Sequence, residues 1–259
     1  MLVHGTFSAA EAAFDGLLTD QEFLNSMMDH GCGKYVLAYN MSTILSSVSD
    51  NAASLKRALT RIGIPEQKRG TKLKVLGHSR GCLVARKAFG KTTKMVLVAG
   101  THQGTPMADA KYLSALINRI TNLAAITFSG TPILPLFLKG ISKIVQLIGS
   151  AEGLENQRPH SRFLAELNEV NVLSKHQLLI GANFEPSSVI LNALDDVALD
   201  IAIFGRQKND GVTPTVSALA DDIKGDANRM RLKNGALHHL NLFQSDEVKS
   251  AIITHFKND

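Results

Sequence analysis

Cysteine is scarce in this chain: 259 residues contain two, Cys32 and Cys82. No disulfide framework is implied, and the two thiols are compatible with a reducing compartment. No signal peptide is expected, since the sequence opens MLVHGTF without a basic start or a long apolar segment. No apolar stretch runs unbroken for the roughly 20 residues that span a bilayer, so a cytoplasmic location is the default expectation. The first apolar strand has barely begun before its loop arrives, and upstream strands are expected to be missing or the start mis-assigned. Basic residues outnumber acidic ones by 28 to 23, a net charge of +5, yet they are scattered in LKR, QKR, ARK and RMRLK beside apolar patterns. They read as solvated faces, and the aromatic and basic interleaving of RNA-binding proteins is absent, so no nucleic-acid partner is expected. Internal repeats, low-complexity tracts and inter-domain linkers are lacking. DDIKGDAN does not match a calcium loop, and neither a metal nor a cofactor is expected.

What is present is an ordinary globular composition, 44% apolar and 20% charged. Short β-type runs alternate with helical patterns, which predicts an α/β fold with a mostly parallel central sheet flanked by helices. LV (Leu2, Val3) is the stub of a strand. TDQEFLNSMMDHG reads as a helix with Thr19 as N-cap and Gly31 as its stop. KYVLAY, from Lys34 to Tyr39, reads as a buried strand. SDNAASLKRALTRIG puts Ala52, Leu55, Leu59 and Ile62 on one helical face. KLKVL, KMVLVAG, HQLLIGA and the short RMRL read as further strands, and CLVARKAF as a buried helix. Residues 1–259 are expected to form one domain, with 101–174 as a helical insertion between the post-turn strand and the penultimate strand. Its apolar middle, LSALINRITNLAAITFSGTPILPLFLKGISKIVQLIG, reads either as two core-packing helices or as a cap lining an acyl pocket.

Between KLKVL and CLVARKAF lies GHSRG, Gly77 to Gly81. A serine nucleophile on a sharp strand-to-helix turn needs small residues two places before and two after it, and Gly77 and Gly81 supply them around Ser79. The helix N-terminus directs its unpaired amides at the serine, so the Arg80 N–H is a candidate oxyanion donor. LVHGTF offers a second: Gly5 permits a sharp turn, after which the Thr6 N–H can face the site. His4 reads as a loop-shaping residue. In IAIFGRQKNDGVTPT, Asp210 is the candidate acid, with an ordinary Asp-Gly turn as the alternative. The pairs Asp195–Asp196 and Asp221–Asp222 read as solvated. KNGALHHLNLF follows the last strand, and both His238 and His239 are candidate bases. Adjacent histidines on one extended segment diverge, which argues against zinc.

LVHGTF, GHSRG, AGTHQGTPMAD, KNDGVTPT and HHLNLF together resemble the lipase-like bacterial α/β-hydrolases, in the order that family uses. SRFLAELN also looks like a helix that precedes the penultimate strand there. The resemblance implies an α/β-hydrolase fold and a serine esterase or lipase with Ser79 as nucleophile, Asp210 as acid and a C-terminal histidine as base. The family's pattern of histidine, any residue, asparagine and aromatics aligns His239 with the base, and His238 stays the alternative. Arg80 stands where many relatives carry Met, Gln or Gly. His78 and His102 are expected near the pocket mouth as shaping residues. The expected partner is a small-molecule or lipid ester, with peripheral contact at a membrane surface as an additional reading. Two rivals remain open: a catalytically silent binding module on the same fold, and an acyltransferase using the same residues.

Overall fold

A computed structural model of the chain describes residues 1–30, 35–66, 73–130, 152–185 and 197–257. Cys32, the acid pair Asp195–Asp196 and the second half of the apolar insertion, 131–149, lie outside them. Among the described residues, six strands form one parallel sheet in the order β2-β1-β3-β4-β5-β6. These are β1 (Leu2–Val3), β2 (Ala38–Tyr39), β3 (Lys74–His78), β4 (Lys94–Val98), β5 (Gln177–Gly181) and β6 (Asn228–Arg231). Side chains alternate across the pleat. Val3, Val75, Met95, Leu97 and Leu179 join one core cluster, whereas Leu2, Leu76, Val96, Val98 and Ile180 join the other.

Helices cover both faces. Short helices α1 (Ala10–Ala13) and α2 (Asp15–Leu18) precede α3 (Gln21–Asp29), and α4 (Val48–Arg61) and α5 (Arg80–Phe89) follow. The remainder are α6 (Leu113–Thr127), α7 (Glu152–Glu155), α8 (Arg162–Val170), α9 (Val197–Phe204), α10 (Thr215–Leu219) and α11 (Asp246–Lys257). Helices α4 and α5 bury their apolar residues with the first cluster, and α2, α3 and α11 with the second. In α4, Val48, Ala52, Leu55 and Leu59 are buried at helical spacing, and the Ser47 hydroxyl caps the N-terminus by accepting from the Asp50 N–H at 3.0 Å. A third cluster unites α6, α7, α9 and Phe7. No helix among the described residues is long and apolar enough to cross a membrane.

Three local expectations need correction. KYVLAY is not a buried strand: only Ala38 and Tyr39 pair, while Tyr35 is 83% and Val36 57% exposed. β2 is the outermost strand and its neighbour β1 is itself two residues long, so among the described residues the pairing reaches back only to Leu37, whose carbonyl accepts from the Leu2 N–H at 2.7 Å. The N-cap of α3 is Asp20, whose carboxylate accepts from the Phe23 N–H at 2.9 Å, and the Thr19 hydroxyl instead donates to Asp15 O. Ile62 lies past the end of α4 and is exposed.

Eight of the ten residues of α5 are buried. Gly81 explains how the helix comes so close to the sheet, since a Cβ there would stand 2.0 Å from Val3 O. Two arginines of this helix are buried with no carboxylate partner among the described residues. Arg80 donates from Nε to Gly153 O at 3.2 Å and from Nη2 to Ser46 O at 2.6 Å. Arg86 donates from Nη1 to Asn168 Oδ1 and from Nη2 to Asn171 O, each at 2.9 Å. Desolvation lowers both guanidinium pKa values to about 10, which leaves them charged at neutral pH.

Buried histidines add an acid-sensitive element. Burial lowers the pKa of His4 and His102, that of His78 to about 3 and that of His238 to about 4. An unfolded imidazole protonates near 6.5, so between about pH 6.5 and 4 the unfolded chain binds more protons than the folded one. Thermal melting temperature is therefore expected to hold above about pH 7 and to fall progressively below about 6.5; a flat profile down to pH 4 would contradict this account. Gly81→Ala is expected to cost about 1–3 kcal/mol of unfolding free energy in urea titrations, because backbone must move to admit the methyl group.

Candidate active site

The strand order reverses direction at β1: the chain passes from β1 to β2 on one side and to β3 on the other. In an open parallel sheet the crevice at such a switch lies beyond the carboxyl ends of the two strands. Two of the sequence motifs meet there, HGT after β1 and HSRG after β3.

Ser79 stands between β3 and α5 at φ 54°, ψ −127°, a backbone conformation unfavourable for a residue with a side chain. The turn is held by Ser79 N–H donating to Val98 O at 2.9 Å and Cys82 N–H donating to Ser79 O at 3.0 Å. It is also crowded by backbone. A Cβ at Gly5 would lie 2.6 Å from Ser79 Cβ, and one at Gly77 would lie 3.0 Å from Cys82 Cα. The helix begins at Arg80, so the first amides of α5 have no acceptor within the helix and point toward the turn. The Arg80 side chain runs the other way, beneath the loop that carries Ser46 and the α7 segment that carries Gly153.

His4 shapes the adjoining loop. Its Nδ1 contacts Gly5 O at 2.9 Å and its Nε2 accepts from the Met41 N–H at 3.0 Å, which uses both nitrogens in a neutral ring. Thr6 then reaches the cleft.

Asp210 and His239 are joined. His239 Nδ1 donates to Asp210 Oδ2 at 2.8 Å, and His239 N–H donates to Asp210 O at 2.9 Å. The other carboxylate oxygen, Oδ1, accepts from the Val212 N–H at 3.0 Å and the Thr213 N–H at 2.7 Å. Both groups are buried, at 1% and 4% exposure. With Nδ1 on the carboxylate, Nε2 is the nitrogen of His239 left for the cleft, which it lines together with Ser79. His78 lies beneath, its ring centroid 4.8 Å from that of His239, and its Nε2 donates to the His239 carbonyl at 2.9 Å.

His238 points elsewhere. Its Nε2 is 3.4 Å from the Thr127 hydroxyl, its Nδ1 accepts from the Leu240 N–H at 3.3 Å, and Phe184 packs edge-on against it. His102 is not at the mouth of the cleft. It is fully buried, with Nδ1 3.2 Å from Arg86 Nη1 and Nε2 packed over Gly100 and Cys82, so it braces the loop after β4 against α5. Of the competing acids, Asp221 and Asp222 are exposed; Asp221 pairs with Arg231, and Asp222 accepts from Gln103.

The cleft is tight, with about 30 Å3 of free volume. Leu116, Ile120, Phe128, Leu154, Val212 and Leu240 make its wall apolar, and α6 supplies the first two of these. Arg119 of α6 donates to Asp200 Oδ1 of α9 at 2.5 Å and to Gly211 O at 3.4 Å, next to Asp210. Gln157, Thr101 and Arg119 are polar residues of this region that sequence patterns do not single out. Thr101 and Gln157 lie in loops and Arg119 on an apolar helix, and spatial neighbours reveal their place.

Several solved structures share this fold. Phospholipase PlaB from Legionella pneumophila in complex with thio-NAD superposes with a TM-score of 0.55 at 12% identity, over 99% of this chain and 61% of that one. Another PlaB structure is covered over 44% of its length, so the chain spans between 44% and 61% of the PlaB chains it matches. Lipase 1 from Pelosinus fermentans gives a TM-score of 0.55 at 15% identity, over 99% of this chain and 95% of that one. The esterase RhEst1 from Rhodococcus sp. ECU1013 gives 0.53 at 12%, over 99% and 89%. The fold is the α/β-hydrolase fold. No curated protein matches the sequence. A family model described as a domain of unknown function, DUF7379, matches residues 1–257, and the chain belongs to that family.

Proposed function

We propose that this protein is a serine hydrolase of carboxylic esters, with Ser79 as nucleophile, His239 as general base and Asp210 as the acid that orients it. The observation that carries the reading is the 2.8 Å Asp210–His239 bond behind an imidazole that shares one apolar cleft with Ser79. A buried carboxylate on Nδ1 fixes the tautomer and stabilises the imidazolium formed during reaction. Ser79 supplies the second support. Its unfavourable backbone conformation puts a hydroxyl at the start of a buried helix, where the amides favour developing negative charge.

In the reaction, Ser79 Oγ bonds to the ester carbonyl carbon as its proton passes to His239 Nε2. The carbonyl oxygen becomes an oxyanion held by the N–H groups of Thr6 and Arg80. Collapse breaks the bond to the alkoxy oxygen, which leaves as the alcohol carrying the proton from His239. Water then repeats the sequence on the acyl-enzyme and releases the carboxylic acid. His78, neutral because of its burial, secures the backbone of His239 without competing for the proton.

The described parts of the insertion, 101–130 and 152–174, act in this reading as a cap. Leu116, Ile120, Phe128 and Leu154 form one side of the cleft, which suits the acyl part of an ester, and among the described residues no Lys, Arg, Asp or Glu lines it to hold an ionic substrate. The lipase, esterase and phospholipase identities of the structural neighbours support ester substrates in the same way.

Ser79→Ala is expected to lower p-nitrophenyl ester turnover by roughly 10⁴-fold or more while the melting temperature is retained. The wild-type protein is expected to label with a fluorophosphonate probe at Ser79; a folded protein that fails to label is a binding module instead. His239→Ala is expected to match the serine variant, whereas His238→Ala keeps kcat within about tenfold of wild type, because that ring faces Thr127 and Phe184. The opposite ranking would transfer the base to His238.

A further inference from the structure

The return of the insertion toward the sheet brings one amide side chain into the cleft. Gln157 is 3% exposed and lines the cleft with Thr6 and Thr101. Its backbone is held from two sides: its N–H donates to Leu154 O and its carbonyl accepts from the Thr105 N–H, both at 2.8 Å. Gly104, at φ 89°, makes that approach possible, since a Cβ there would stand 2.6 Å from Pro159 N and 2.8 Å from Gln157 O.

The carboxamide can be oriented from its partners. Gln157 Nε2 lies 3.0 Å from Gly153 O, a carbonyl that can only accept, so the nitrogen must face it. The same nitrogen donates to Thr6 Oγ1 at 3.0 Å, which commits both of its protons. Oε1 accepts from Thr101 Oγ1 at 3.4 Å and is also 3.4 Å from Thr6 Oγ1. The Thr6 hydroxyl thus accepts one good bond from Gln157. Among the described residues its own single proton is engaged only by a contact longer than ordinary O–H···O bonds. A hydroxyl in that state is poised to give its proton to a stronger acceptor.

We propose that the Thr6 hydroxyl is a third donor to the oxyanion, and that Gln157 is the positioning residue that orients it. The inference rests on Ser79 being the nucleophile. As negative charge grows on the substrate oxygen, the Thr6 proton turns from Gln157 Oε1 to that oxygen, while the Gln157 Nε2 bond keeps Thr6 Oγ1 in place. No covalent bond changes in this step. Gln157 therefore acts on the transition state through Thr6, and hardly on substrate binding.

A double-mutant cycle tests this with p-nitrophenyl butyrate as substrate. Thr6→Val is expected to lower kcat by about 10²-fold with KM little changed, the size of loss seen when one oxyanion donor is removed, and Thr6→Ser restores most of it. Gln157→Ala is expected to lower kcat about tenfold in the wild-type background and to have no further effect in the Thr6→Val background. Affinity for a trifluoromethyl ketone that mimics the tetrahedral adduct falls in parallel with kcat/KM. Equal losses from Gln157→Ala in both backgrounds, a loss confined to KM, or full activity in Thr6→Val would each overturn the proposal. Should Gln157→Ala fail to fold, the Thr6→Val and Thr6→Ser pair decides the hydroxyl's role, and Gln157→Met, which keeps the bulk and loses the amide, completes the cycle. A wild-type protein that neither turns over the ester nor labels with fluorophosphonate removes the serine hydrolase reading itself, a result separate from any ranking among the variants.

Discussion

The approach of three backbones at the ends of β1 and β3 governs the rest of this structure. The loop after β1, the turn at Ser79 and the first turn of α5 come so close that Gly5, Gly77 and Gly81 each occupy a position where a methyl group would meet other atoms at 3.0 Å or less. Close packing of this kind has few solutions. It brings Thr6 beside Ser79, sets the helix amides toward the turn and leaves Ser79 in a conformation that the surroundings must enforce. The sheet gives these contacts their stiffness. β3 and β4 are buried from their second residue onward and pair through five registered positions, so strain at the turn is borne by well-packed strands.

Polar groups are managed by two different means in the interior around this turn. The Asp210 carboxylate is fully satisfied, by two backbone amides on one oxygen and the His239 ring on the other. Arg80 and Arg86 instead keep their charge while binding carbonyl and carboxamide oxygens, with no acid beside them among the described residues. Neutral acceptors on several elements hold each cation, so each guanidinium ties segments distant in sequence to α5: residues 46 and 153 through Arg80, and residues 168 and 171 through Arg86. Removing either side chain would strip hydrogen bonds from buried and half-buried oxygens, a larger loss than the surface ion pair Arg162–Glu166 could represent.

Much of this was legible in the sequence because the signals are local. GHSRG between an apolar strand and an apolar helix specifies a turn and its serine, and the Asp210 and His239 segments follow in an order set by chain topology. The alternation of strands and helices likewise predicts a parallel sheet with helices on both faces. What could not be read depends on spatial partners. KYVLAY has the composition of an inner strand, yet it lies at an edge whose neighbour is too short to pair with it. His102 follows a strand end, as a cleft residue should, but its ring turns inward onto Arg86. Gln157 gives no pattern at all, since its place arises from Gly104 and Gly153 letting the returning chain come close. The burial of the Arg80 side chain has no local signal either, and the acceptors at Ser46 and Gly153 explain it.

The Arg119 guanidinium has a mechanical consequence. One side chain of α6, itself 7% exposed, spans Asp200 on α9 and the carbonyl of Gly211, the residue after Asp210. The roof of the cleft and the turn that carries the carboxylate are thereby hinged on a common pin. A displacement of that roof therefore pulls on the floor through the Arg119 side chain.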